Sequence, residues 1–163
     1  MALRLGPQGT GAAMSPLCTA RELAARLRGG EAVLFPTDTV PALAIQPDSA
    51  PRIWALKQRP AHKPLILMGA DLAQLQHVLG VTWPREWELE AEGVWPGAVT
   101  LVFPLAGPLQ RALNPEGDGL GLRVPACPMA LDLLRHAGPL ATTSVNRSGQ
   151  PPALSAEEAS QLF

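Results

Sequence analysis

The chain contains no tyrosine, and four tryptophans and three phenylalanines are its only aromatic side chains. A module that stacks successive bases on exposed rings needs more, so that class of nucleic-acid binder is excluded. Two cysteines, Cys18 and Cys127, cannot form a disulfide framework, and no Cys-x-x-Cys spacing occurs. His62, His77 and His136 each lack a His or Cys three or four residues on, which argues against a zinc site. No apolar run approaches the ~18 residues of a membrane span, so no membrane partner is expected. The formal net charge of -1 rules out a uniformly basic surface; any polyanion must meet a local cluster of cations. Three familiar machines are also missing. There is no Gly-x-x-x-x-Gly-Lys-Ser/Thr and no Gly-x-Ser-x-Gly, and the glycines at 117, 119 and 121 lead into an apolar strand pattern, not a helix.

What is present is a 47% hydrophobic sequence of 163 residues, enough for one domain with a substantial core. Eighteen prolines and fifteen glycines point to many sharp turns. Residues 1–14 are rich in Gly and Ala, lack the charged start and apolar stretch of a signal peptide, and read as a flexible N-terminal tail before a domain at 15–163. A cytoplasmic protein is expected.

Thr19 and Glu22 form a capping-box pattern opening a helix that Gly29-Gly30 stops. Ala32–Phe35 is a continuous apolar run closed by Pro36, the pattern of a buried strand. Ser49 is placed to cap a helix running to Lys57 and ended by Pro60. Further strands are expected at Pro64–Met68, Val99–Phe103, Leu120–Val124 and Leu140–Thr143. Helices are expected from Asp71 to Gly80, over Pro84–Glu92 with Glu86, Glu88, Glu90 and Glu92 largely facing solvent, over Pro128–His136, and after Ser155. The intermingling predicts an α/β or α+β fold: one domain, with a twisted mixed sheet flanked by helices.

Four polar clusters punctuate this pattern. Residues 49–70 hold Arg52, Lys57, Arg59 and Lys63 and no acid, and the last three converge just past a helix end. A planar guanidinium fork and compact ammonium groups there suit a triphosphate or another polyanion. Taken alone, a Lys-x-Arg is more often a solvated helix face. Ala141 to Gly149 offers small hydroxyls, an amide and a glycine at a strand's end, suited to phosphate or ribose, although taken alone it is more often an ordinary polar turn leading to Pro151-Pro152. In Phe35-Pro36-Thr37-Asp38-Thr39-Val40 a buried strand breaks into two threonines around a carboxylate, which turn chemistry alone would explain. Arg123 sits within the apolar Leu120–Val124 run, and an arginine there needs an acidic partner or an anionic ligand.

In this order the clusters resemble the YrdC-like threonylcarbamoyl-AMP synthase family, from about Ala20 onward. The matching stretches are Phe35–Val40; Leu56–Pro60 with Lys63-Pro64-Leu65; Trp95-Pro96-Gly97 with Val99-Thr100-Leu101; Leu122–Pro125; and Ser144-Val145-Asn146 with Ser148-Gly149. The resemblance implies a basic concave cavity in the fold and a nucleotidyltransferase reaction. L-threonine, bicarbonate and ATP become threonylcarbamoyl-AMP and pyrophosphate, with Mg2+ carried by the phosphates and no protein metal cluster. A downstream threonylcarbamoyl-transferase complex then modifies a tRNA adenosine, and direct tRNA contact is a further expectation.

By the same resemblance, Lys57 and Arg59 are the catalytic, phosphate-holding pair. Lys63, Asn114, Ser144 and Asn146 complete the nucleotide site, and Thr37, Arg123 and Thr143 bind threonine. This chain has Pro41 where the family usually has an aromatic, and Met68 where many members have histidine. Longer members continue past the position of Phe163, so the sequence reads as a short member. The alternative is a non-catalytic module of the same fold that binds RNA or a nucleotide.

Overall fold

The computed structural model describes residues 2–4, 17–58, 60, 63–146 and 149–162. Its strands are β1 (Ala2–Arg4), β2 (Leu17–Cys18), β3 (Val33–Phe35), β4 (Ala42–Ile45), β5 (Ile66–Met68), β6 (Leu101–Phe103), β7 (Leu120–Arg123) and β8 (Leu140–Ser144). Its helices are α1 (Ala20–Arg28), α2 (Pro51–Lys57), α3 (Leu72–Leu79), α4 (Arg85–Val94), α5 (Pro108–Leu113), α6 (Pro128–Ala137) and α7 (Ala156–Leu162).

The strands form one sheet in the order β2-β1-β3-β4-β8-β5-β7-β6. Among the described residues only the β5–β7 pairing is parallel. This is the mixed α/β sheet expected from the sequence. Strands β3 and β4 are buried along their whole length, so neither shows an alternating polar pattern. Successive side chains instead feed two cores. Val33, Phe35, Ala42 and Ala44 pack with Leu23 and Leu27 of α1 and Leu133 and Leu134 of α6. Leu34, Leu43 and Ile45 pack with Ile53 and Trp54 of α2, Leu75 of α3 and Leu113 of α5. Helices therefore cover both faces.

Several boundaries differ from expectation. Ala2–Arg4, assigned from the sequence to a flexible tail, is a strand paired antiparallel with Val33–Leu34 and with Leu17–Cys18. Three residues carry too little pattern to register as a strand, whereas backbone pairing needs no pattern. Residues 5–16 lie outside the described residues. Ser49 does not cap α2: it ends a short 3-10 turn, Pro47–Ser49, and the cap is Ala50, with Pro51 opening the helix. The α2 helix also stops before Pro60, at Gln58, which adopts the left-handed conformation. Strand β4 and helix α5 had no expected counterpart. The capping box of Thr19 and Glu22, the Asp71 cap and the Gly80 stop all form.

Candidate active site

Register decides which side chains share the face on which the site lies. Ala42 pairs with Ser144, Thr142 with Ile66, and Met68 with Arg123. Because side chains alternate along a strand, these six lie on one face, and Thr143 turns to the other. The first six, together with Thr143, line a cavity of about 290 Å³, closed at its rim by Thr37, Thr39, Val40, Pro41 and Pro64. Gly121 is the β7 neighbour of Ile66; a Cβ there would lie 2.9 Å from Ile66 Cγ2, so only glycine leaves Ile66 its place in the floor.

Arg123 is the one charged side chain among the described lining residues, and it is 7% exposed. Its Nε donates to the Gly97 carbonyl at 2.9 Å, Nη1 to Thr39 Oγ1 at 3.0 Å, and Nη2 to Asp38 Oδ1 at 2.6 Å. Asp38 Oδ1 also accepts the Ala126 N–H at 3.1 Å, which ties the carboxylate to the segment after β7. A guanidinium has five N–H donors, so two remain beyond these three bonds, on a side chain that faces the cavity. Such a group takes a carboxylate or another small anion.

Thr37 lines the cavity, and its hydroxyl is spent within its own loop. Its hydroxyl donates to the Val40 carbonyl at 2.7 Å and accepts from the Thr39 N–H at 3.1 Å. With its one proton committed, the 3.1 Å contact between the two hydroxyls runs from Thr39 to Thr37. Polar contacts thus pass in one direction, from Arg123 through Thr39 to Thr37 and the backbone, and they hold residues 37–40 as the rim of the cavity.

At the other end, α2 delivers Lys57 beneath β8. Its side chain is completely buried, and Nζ donates to Thr143 Oγ1 at 3.0 Å, the Ser144 carbonyl at 2.6 Å and Asn146 Oδ1 at 2.8 Å. Ser144 Oγ donates to the same Asn146 oxygen at 2.8 Å, and Asn146 Nδ2 donates to the Gln150 carbonyl at 2.8 Å. Three residues at the end of β8 and just past it thus meet around one ammonium group that comes from almost ninety positions earlier in the chain. Because Thr143 Oγ1 accepts from Lys57, its own proton remains available to a further acceptor.

Three expected site residues remain: Arg59, Lys63 and Asn114. Arg59 lies outside the described residues, as does Ser148. Lys63 is half-buried on the connection to β5, where its carbonyl accepts from Trp54 Nε1 at 3.0 Å, and it is not among the cavity-lining residues. Asn114 caps the end of α5, and its side-chain amide donates to the Gly119 carbonyl at 2.7 Å. It shapes the turn before β7 and is also absent from the lining. Arg52 bonds the Gly30 carbonyl near the end of α1, away from this cluster.

The comparisons with known proteins bear on this geometry. Residues 25–163 match the family model Sua5/YciO/YrdC, described as "Telomere recombination". The chain belongs to this family. It is 39% identical over 142 residues to a threonylcarbamoyl-AMP synthase of Serratia proteamaculans, covering 84% of this chain and 75% of that one. It is 38% identical to the threonylcarbamoyl-AMP synthase of Pyrococcus abyssi, over 84% of this chain and 41% of that longer protein. The crystal structure of P. abyssi Sua5 complexed with L-threonine superposes with a TM-score of 0.80 at 36% identity, covering 87% of this chain and 43% of that one.

Three partners of Arg123 carry no site assignment from the sequence: Asp38, Thr39 and Gly97. Asp38 and Thr39 stand in a stretch singled out for its polarity, but nothing in the sequence says that a residue 85 positions away closes the pair. Gly97 lies in the Trp95-Pro96-Gly97 corner, which reads as a turn. Its N–H donates to the Val124 carbonyl at 2.8 Å, and Trp95 Nε1 donates to the Val99 carbonyl at 2.8 Å, so the corner is bound to the end of β7.

Proposed function

We propose that this chain is an L-threonylcarbamoyl-AMP synthase. It would bind L-threonine, bicarbonate and ATP and release threonylcarbamoyl-AMP, pyrophosphate and water. The observation that carries this reading is Arg123. It is a buried guanidinium held in one orientation, with two donors left toward a cavity of amino-acid size, in a chain whose relatives are named for this synthesis.

The threonine carboxylate takes the two remaining N–H groups of Arg123, while Thr143, whose side chain turns to Lys57 on the opposite face, belongs to the wall of the site. Thr37 forms the rim that encloses the amino acid. The threonine nitrogen bonds to the carbonate carbon with loss of water, giving a carbamate. A carbamate oxygen then attacks the α-phosphorus of ATP, and pyrophosphate leaves. Little covalent chemistry is asked of the protein: the task is to align two charged reactants and to neutralise phosphate charge.

Lys57 contributes from beneath the wall, fixing Ser144 and Asn146 toward the nucleotide and placing a desolvated positive charge behind them. Arg59, Lys63 and Asn114 are the further nucleotide contacts that the family resemblance implies. Mg2+ would arrive on the triphosphate and neutralise its oxygens. An ion carried that way needs no protein cluster. The product passes to a tRNA-modifying transferase complex. The relatives' named activity supports this catalytic reading over a non-catalytic RNA- or nucleotide-binding module.

Calorimetric titration tests the reading. L-threonine and ATP should each bind the wild-type chain, and ATP with Mg2+ and bicarbonate should tighten threonine binding. Binding of neither ligand would refute the assignment.

A further inference from the structure

We infer that Asp38 is a specificity-determining residue: it limits Arg123 to singly charged carboxylates and keeps polyphosphate off the amino-acid site. The inference rests on the proposed pairing of Arg123 with the threonine carboxylate. It arises from a conflict built into that proposal. One cleft must hold an amino acid and a triphosphate, and an uncompensated buried guanidinium would attract the more highly charged anion more strongly.

The structure places a counter-charge where it acts on that choice. Asp38 Oδ1 lies 2.6 Å from Arg123 Nη2, so the two charges touch directly, with the Arg123 side chain buried and the Asp38 side chain 21% exposed. Asp38 is not needed to hold the guanidinium in place by itself, since Nε is held by the Gly97 carbonyl and Nη1 by Thr39 Oγ1. Its distinctive contribution is its negative charge.

An anion docked on the two remaining N–H groups feels attraction from Arg123 and repulsion from Asp38, and both scale with its charge. With the carboxylate present, the pair has no net charge, and binding at Arg123 depends on hydrogen-bond geometry that a monocarboxylate satisfies. Without it, a full positive charge favours a ligand in proportion to that ligand's negative charge. Removing the charge should therefore help pyrophosphate far more than threonine.

Asp38→Asn is the informative variant. The amide keeps an oxygen for Arg123 Nη2 and the Ala126 N–H, and it removes only the charge. L-threonine binding would be measured by calorimetry in wild type and variant, alone and in competition with inorganic pyrophosphate. The inhibition constant of pyrophosphate is expected to fall at least tenfold more than the threonine dissociation constant changes. Equal changes within twofold, or weaker pyrophosphate binding in the variant, would overturn the inference.

If the wild type binds no L-threonine, the proposed function fails, and direct pyrophosphate titration still decides the role of Asp38. Asp38→Asn should tighten pyrophosphate at least tenfold, and the double variant Asp38→Asn/Arg123→Gln should lose that gain. A purely structural role would move both ligands together. Circular dichroism of each variant confirms that the fold is retained.

Discussion

Two residues show how the site depends on single atoms. Lys57 donates three hydrogen bonds from a fully buried position, and no shorter side chain reaches Thr143, the Ser144 carbonyl and Asn146 together. Lys57→Ala leaves a cavity and unsatisfied acceptors, and is expected to destabilise the protein by about 2–4 kcal/mol, read by denaturant titration. It should also weaken ATP binding at least tenfold, whereas Arg52→Ala, which removes a contact to the Gly30 carbonyl, should change it by less than twofold. Equal losses from the two variants would contradict the role given to Lys57.

Gly97 is the second case. A Cβ there would lie 2.8 Å from the Val94 carbonyl oxygen, which is backbone and cannot swing aside. Gly97→Ala must displace the corner whose carbonyl orients Arg123, so the KM for threonine is expected to rise at least fivefold, with the KM for ATP within twofold. At this scale the sequence was informative about Arg123, because an arginine inside an apolar strand demands a partner. It could not name Asp38 as that partner, since turn chemistry accounts for an aspartate between two threonines equally well.

Among the elements, those with local signals formed where the sequence placed them. The α1 helix carries its start in Thr19 and Glu22, whose side chains and backbone groups bond reciprocally at 3.2 and 3.0 Å. Thr19→Ala is expected to cost about 1 kcal/mol, measured as a shift in the denaturant midpoint. Elements whose reason for existing is remote were missed. Strand β4 is four apolar residues that gain their identity only from pairing with β3 on one side and β8 on the other. Strand β1 likewise exists through its partners.

Helix α4 shows a local charge effect that extends to its neighbour. The Glu88 carboxyl lies below its ordinary range, chiefly because Arg85 donates to it at 2.9 Å and then because Gln76 of α3 donates at 3.0 Å. A carboxyl lowered in the folded state gives stability that is present above its unfolded value and lost as pH falls through the folded one. The α3–α4 contact should therefore weaken on acidification below the usual carboxylate range. Glu88→Gln should show a flatter dependence of Tm on pH there than wild type, and identical slopes would count against the contact.

Over the whole molecule, the near-neutral charge is a mixture of both signs, and Arg123 meets its counter-charge, Asp38, at the cavity itself. Glu86, Glu90 and Glu92 are exposed on α4, while the Arg123 and Lys57 charges are buried at opposite ends of one arrangement around β8. The sheet order makes this possible by placing β8 between β4 and β5, so that the rim 37–41, the floor strands and the Lys57 cluster converge. That topology is not written in any one segment. The order of the motifs identified the family, and through it the fold, more securely than local patterns did.

The central claim is that this cavity joins threonine to a nucleotide through Arg123. It is tested most directly by incubating the purified chain with ATP, Mg2+, L-threonine and labelled bicarbonate, and separating the nucleotide products. The account predicts labelled threonylcarbamoyl-AMP with an equal amount of pyrophosphate, and at least a hundredfold less of both from Arg123→Ala. Absence of the labelled adduct from the wild-type chain, or undiminished formation by Arg123→Ala, would contradict it.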